Sequence, residues 1–333
     1  PPRSTLFPYT TLFRSDPQLA QSQGGNRSQY VRALGIFDGR SAKQVAYSAT
    51  SGKGQMDPNL LVKAAAWDLY QPWAKYFEIM STHPLPAKRI KELNYIAYTK
   101  FQQKPGIDLS KAQVEFQKQM GKTAIDNFMG EVFIQVMPKL AFFGWIIVGI
   151  VMALNGFNFE ASVFTNLWAF LVLGLAIAGI FQLLQNMYKF RGDFVQNTIT
   201  DLIGTINVSP VKPVPTITRG RCIGRGVPGL FWSEDVVIQD HQGIMYIDYD
   251  LGVGFLNALF GILKAERLKD EDVEIVGWYR RGPSPYIQVH RIIQLRDGKT
   301  FRNFKKGFWN LIGILLILLG VGLFYLLYGT ALI

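Results

Sequence analysis

The chain has 333 residues and a formal net charge of +11, with 49% hydrophobic and 18% charged residues. Its mean hydropathy of +0.12 is too apolar for an ordinary soluble protein and points to membrane segments diluted by soluble parts. The single cysteine, Cys222, excludes a disulfide framework and a cysteine-rich zinc module, while the basic excess fits lysines and arginines held at a membrane face.

The chain opens with PPRSTLFPYTTLFRS, which has neither helical nor alternating rhythm. Back-translated, this string resembles at every position the adapter ligated to fragments in short-read sequencing. Residues 1–15 are therefore read as foreign and excluded from the fold. The native frame is expected to begin near Asp16, inside a longer protein.

Residues 16–105 read as helical. The stretch NLLVKAAAWDLYQPWAKYFEIM is apolar at helical spacing and puts Trp67 and Trp73 in a core. Pro84 and Pro86 stand where a helix begins, and AKRIKELNYIAYTKFQQ follows with Ile90, Leu93 and Ile96 or Ala97 on one face. Within this region STHPLPAKRIKEL carries His83 and Arg89 six positions apart. It resembles the segment that closes the catalytic domain of membrane zinc metallopeptidases of the HtpX and CAAX-prenyl-protease kind. The upstream stretch DPQLAQSQGGNRSQYVRAL resembles the same family, with Arg27 where the family has a proline.

The resemblance implies the α-helical remnant of a zincin-type peptidase domain. In the family, an HExxH helix and a later glutamate hold zinc, and the glutamate of the motif is the general base for the metal-bound water. The resemblance gives His83 and Arg89 auxiliary roles beside the zinc, donating to the substrate carbonyl or the developing oxyanion. From spacing alone, His83 would cap a helix start and Arg89 would pair on the surface. Asp16 is a candidate supporting aspartate that follows the lost glutamate. The three histidines are His83, His241 and His290, none in an HExxH, and the late glutamate would fall where Leu12 now stands. The fragment is therefore expected to bind no zinc and to be inactive. The intact parent is expected to hydrolyse peptide bonds, in peptides or membrane proteins.

Residues 106–138 read as a juxtamembrane helix with Asp108 or Ser110 as N-cap. Three stretches reach the roughly 20 apolar residues a spanning helix needs, at 132–154, 163–184 and 308–329. The alternative for each is a buried helix of a large soluble domain. The first two form a hairpin over 132–184, joined by NGFNFEAS, which has no lysine or arginine. Lys189 and Arg191 follow the second span, and Arg302, Lys305 and Lys306 precede the third. Such flanks stay cytoplasmic, which puts the N-terminal region and residues 188–306 in the cytoplasm and the C-terminus outside.

Residues 188–306 change character. TITDLIGTINV, EDVVIQDHQGIMYIDYD, DVEIVGWYRR and PYIQVHRIIQLRDG are rich in valine, isoleucine and tyrosine between turn residues. GVGFLNALFGILKAERL interrupts them as one amphipathic helix, expected to cover the strands, and the order suggests a small OB-like barrel. Trp278, Tyr279, Arg280, Arg281 and Tyr286 could form a stacking platform for nucleic acid. The acids Glu266, Asp270, Glu271, Asp272 and Glu274 oppose it, so half-buried aromatics with bases at the membrane surface are expected instead. Membrane lipid is the expected partner of the chain itself. GRGVPG matches GxGxxG, but Pro228 and a strand-like continuation argue against a dinucleotide site. Cys222 reads as a buried filler. The rival to the peptidase reading is a non-enzymatic membrane protein whose barrel recruits a protein or nucleic-acid partner.

Overall fold

The computed structural model describes residues 58–80, 84–102, 108–154, 163–225, 236–250 and 268–328. Expectations for residues 1–15, Asp16, His83, the loop at 155–162, the glycine motif beyond Arg225 and the helix predicted within 251–267 lie outside the described residues.

Helix α1 (Pro58–Tyr70) and helix α2 (Pro72–Met80) meet at Gln71, because Pro72 cannot continue the first helix yet suits the start of the second. Helix α3 (Pro86–Phe101) also opens with proline at its start. Of its predicted apolar face Ile90 is buried, whereas Leu93 and Ile96 are exposed. Helix α4 (Lys111–Gln119) has Ser110 at its cap position in helical geometry, with no side-chain cap bond. Asp108 orders the turn before it, its Oδ1 accepting the Ser110 N–H at 2.9 Å. The single helix predicted from here into the membrane is broken. Gly121 takes φ +55°, a 3₁₀ turn spans Gly121–Thr123, and helix α5 (Ala124–Leu154) restarts beyond it. Pro138 lies inside α5, which continues through it. Helix α6 (Val163–Lys189) follows.

The region after α6 is a closed barrel. Strand β1 (Val195–Gln196) leads to helix α7 (Ile199–Ile203), where the sequence predicted a strand. Thr198 and Asp201 form a reciprocal capping box there, satisfying orphan N–H groups and nucleating a helical turn. Strands β2 (Val214–Arg225), β3 (Val236–Gln239), β4 (Ile244–Asp248), β5 (Asp272–Arg281), β6 (Pro285–Gln294) and β7 (Thr300–Arg302) follow. Strand β2 pairs antiparallel with β5 over Val214 to Arg221 and with β3 over Arg221 to Arg225. Strands β3 and β4 are antiparallel, β4 and β6 parallel, and β6 and β5 antiparallel. The circuit β2–β3–β4–β6–β5 returns to β2, giving the small five-stranded barrel expected, with β1 and β7 as short additions. Strand β2 was not among the predicted strands; Pro215, Gly220 and Gly224 conceal the alternation of TITRGRCI.

Helix α8 (Lys305–Tyr328) leaves the barrel, and α5, α6 and α8 are each long and apolar enough to cross a membrane. Helix α6 packs against both others. A Cβ on Gly179 would lie 2.6 Å from the Gly313 carbonyl oxygen, and one on Gly320 would lie 2.6 Å from the Ala176 nitrogen. Such backbone approach is how helices associate where lipid removes the hydrophobic drive. Polar side chains of α6 reinforce it. Gln185 Nε2 donates to the carbonyls of Ile134 and Gln135 at 2.8 and 2.7 Å, and Asn186 Nδ2 donates to Asn310 Oδ1 at 2.5 Å.

One hydrophobic cluster joins the helical region to the barrel. It runs from Leu60, Trp67, Trp73 and Phe116 through Ile199, Leu202 and Ile203 into Ile238, Met245, Ile247, Ile275 and Ile287. Burial of each isoleucine or leucine contributes about 1.5–3 kcal/mol. Trp67 Nε1 donates to the Val208 carbonyl at 2.9 Å, and the Gln119 side chain bridges the Gly204 carbonyl and the Ile206 N–H at 2.8 Å each.

Candidate functional site

The described part of the segment that carries the family resemblance, Pro84 to Leu93, leads into and forms the first turns of α3. Glu78, near the end of α2, accepts the Leu85 N–H at 3.3 Å and pairs with Lys88. Arg89 Nε donates to the Pro84 carbonyl at 2.8 Å, reaching back over the first turn of α3 to the residue after His83. His83 and Asp16 lie outside the described residues, so of the three predicted site residues the structure places Arg89.

Beneath this turn sits a buried charge pair. Asp68, on α1, is 2% exposed and Arg281, at the end of β5, is 1% exposed, with Arg281 Nη2 to Asp68 Oδ1 at 3.2 Å. The same nitrogen donates to the Ala64 carbonyl at 2.6 Å, and the guanidinium lies 4.9 Å from the Trp67 ring centroid. Asp68 also accepts the backbone N–H of Ala87, so its carboxylate faces the positive end of α3. Burial pushes the Asp68 carboxyl up, and the Arg281 charge and the Ala87 bond pull against it. The network is incompletely satisfied: Arg281 Nε, Arg281 Nη1 and the Tyr279 hydroxyl find no hydrogen-bond partner among the described residues. The pair fastens the α2–α3 turn to the β5–β6 hairpin, where Gly282 approaches Phe77.

The aromatic and basic run of β5 is not half-buried as expected. Trp278, Tyr279, Arg280 and Arg281 are all buried, Tyr286 partly so, and the four present no stacking face to solvent. Arg280 survives burial because carbonyls and an amide surround it. Its Nε donates to Gln288 Oε1 at 2.9 Å, its Nη1 to the Pro210 carbonyl at 2.7 Å, and its Nη2 to the Lys189 carbonyl. Cys222 is buried, and burial pushes its thiol up to about 11.

The chain has no HExxH, and among the described residues no three His, Cys, Asp or Glu side chains gather to hold a metal ion. His241 is exposed, and His290 is stacked on Phe194 at 5.9 Å between ring centroids.

The Asp68–Arg281 pair was missed in the sequence. Its one local signal is Asp68 itself, an acid embedded in the apolar run NLLVKAAAWDLY. A carboxylate there needs a buried partner, but nothing local says the partner is 213 residues away. No family model, curated protein or solved structure matches the chain.

Proposed function

We propose that the chain is the C-terminal part of a membrane-bound zinc metallopeptidase of the HtpX and CAAX-prenyl-protease kind. Its barrel, OB-like in strand order, is inserted between the second and third spans. The observation that carries this reading is the clasp of Arg89 on the Pro84 carbonyl, directly after His83, at the start of α3. That bond fixes Arg89 at the start of the helix, in the segment where the resemblance pairs it with His83.

In the intact enzyme, His83 and Arg89 donate hydrogen bonds to the substrate carbonyl as negative charge develops on its oxygen. An HExxH segment preceding this chain in the parent would hold zinc, which would activate the attacking water; no residue of this chain is assigned that role. The basic flanks at Lys189, Arg191, Arg302, Lys305 and Lys306 support a cytoplasmic barrel and α1–α4 region, because positive flanks resist translocation. Substrates are accordingly membrane proteins or peptides presented from that side.

The test is the gene itself. Sequence upstream of the Asp16 codon should encode HExxH within about a hundred residues. The extended protein should cleave casein, with Arg89→Ala lowering kcat roughly 10²–10³-fold while zinc content stays stoichiometric. An unrelated upstream reading frame, or unchanged kcat in the Arg89 variant, would sink the reading.

A further inference from the structure

The junction between the barrel and the third membrane-length helix holds a second site. Strand β7 passes into α8 through Asn303 and Phe304, and a cleft of about 480 Å³ opens there. It is lined among others by His290, Arg291, Arg302, Asn303, Lys306 and Asn310, with no carboxylate among the described lining residues. Arg291 on β6 and Arg302 on β7 are direct register partners. Their side chains therefore leave the sheet on one face, with Cβ atoms about 4.5–5.5 Å apart. Both are exposed, and neither side chain has an ion pair or hydrogen bond to a described residue. Like charges set directly opposite one another destabilise a sheet.

Lys306 adds a third positive charge from the first turn of α8, with Nζ 3.2 Å from the Phe190 carbonyl oxygen and 5.9 Å from the Trp278 ring centroid. His290 feels all three. Burial lowers its pKa, and the charges of Arg291, Lys306 and Arg302 lower it further. Asp250, whose carbonyl accepts from the Asn303 side chain, is paired with Lys305. The arrangement is a concentrated positive field awaiting an anion.

Position selects the class of anion. Lys306 and Asn310 belong to the first two turns of a helix whose apolar stretch begins there, so the cleft opens at the level of lipid headgroups. Phe304, 68% exposed beside it, offers an apolar surface to the glycerol and upper acyl chain. We propose that this cleft binds the phosphate of an anionic phospholipid headgroup, gripped by Arg291 and Arg302 and approached by Lys306. Guanidinium forks match phosphate oxygens two at a time, and the bound anion removes the repulsion across the β6–β7 pair. The proposal stands apart from the peptidase reading and needs neither His83 nor Arg89.

The test uses the full chain purified in neutral detergent and examined by native mass spectrometry. Phosphatidylglycerol and phosphatidylcholine with identical acyl chains are added in turn. Retention of phosphatidylglycerol over phosphatidylcholine is expected. Arg291→Gln with Arg302→Gln should weaken that preference roughly ten- to thirty-fold. A control pair, Arg219→Gln with Arg221→Gln, removes the same charge from β2 and should leave the preference intact. The cleft variant should also melt no lower than the parent in lipid-free detergent, since a repulsive pair has been removed. No preference in the parent protein, or equal loss in both double variants, overturns the proposal. Complete displacement of the lipid by inorganic phosphate would assign the cleft to free phosphate and overturn the lipid reading.

Discussion

Arg281 and Asp68 meet at 3.2 Å with almost no solvent exposure, from elements 213 residues apart in sequence. The pair is the electrostatic bolt between the helical region and the barrel. Removing one partner strands the other charge, so Arg281→Met should destabilise the protein by about 3–5 kcal/mol. Replacing both with apolar residues, Asp68→Leu with Arg281→Met, should recover most of that loss, because the native network leaves three polar atoms unsatisfied. Chemical denaturation in detergent reads both values. A double variant as unstable as the single one would show that the charges do not act as a unit.

The close contact of α6 and α8 gives a prediction with its own control. Gly313→Leu should push the helices apart, since a Cβ there already meets Leu183 at 2.8 Å and the Gly179 carbonyl oxygen at 3.1 Å. Overpacking of this kind costs about 1–3 kcal/mol. Gly322→Leu on the same helix meets nothing within 4 Å and should be nearly neutral. Thermal melts of the two variants should differ clearly.

Trp73 Nε1 donates to Glu131 Oε2 at 2.7 Å, tying α2 to the first membrane-length helix. Glu131→Ala should cost about 1.5–3 kcal/mol, as expected for a hydrogen bond to a charged acceptor. Glu131→Gln keeps an acceptor oxygen and should recover at least half of that. Tryptophan fluorescence during unfolding follows both. Equal losses would show that a neutral acceptor oxygen does not substitute for the carboxylate.

Stability should fall at alkaline pH. Burial raises Cys222 to about 11 and Tyr249, Tyr279 and Tyr286 to about 12. The unfolded chain ionises these groups earlier, near roughly 8.5 for cysteine and 10 for tyrosine. Their contribution is fully present below those values and is lost as pH rises through the folded ones. Melting temperatures between pH 8 and 12 should therefore decline, and Cys222→Ala should flatten the early part. Iodoacetamide at pH 8 should label Cys222 only after denaturation.

The membrane-length helices were legible because span length and hydropathy are local properties of a segment. Trp67 and Trp73 were legible for a similar reason, as helical periodicity marked their face. Strands β3 to β6 announced themselves by β-branched content between turns. The failures share a cause, which is that the deciding partner lies far along the chain. Strand β2 is held by two neighbours at once, so it tolerates Pro215 and Gly220, which read locally as breakers. Arg280 reads as a surface charge until the carbonyls of Lys189 and Pro210 fold around it. Leu93 and Ile96 fit a helical stripe and are nonetheless exposed. The Arg291–Arg302 opposition exists only in the register of β6 and β7, which no linear pattern encodes.

The glycine-lined contact between α6 and α8 also constrains how the protein can be made. More than a hundred residues separate the two helices, and the described ones among them belong to the barrel and its approaches. On a ribosome, α6 emerges and enters the bilayer long before its mate exists. Strand β5 must be synthesised before β2 can close on it, and β6 before β4 can. Helix α8 can reach Gly179 only after that closure brings its starting point home. Docking of the last helix is thus a late, non-local event, and until then the small-residue face of α6 is turned toward lipid. A substitution that slows barrel closure should appear first as a membrane-quality-control problem, in a helix that the substitution never touches.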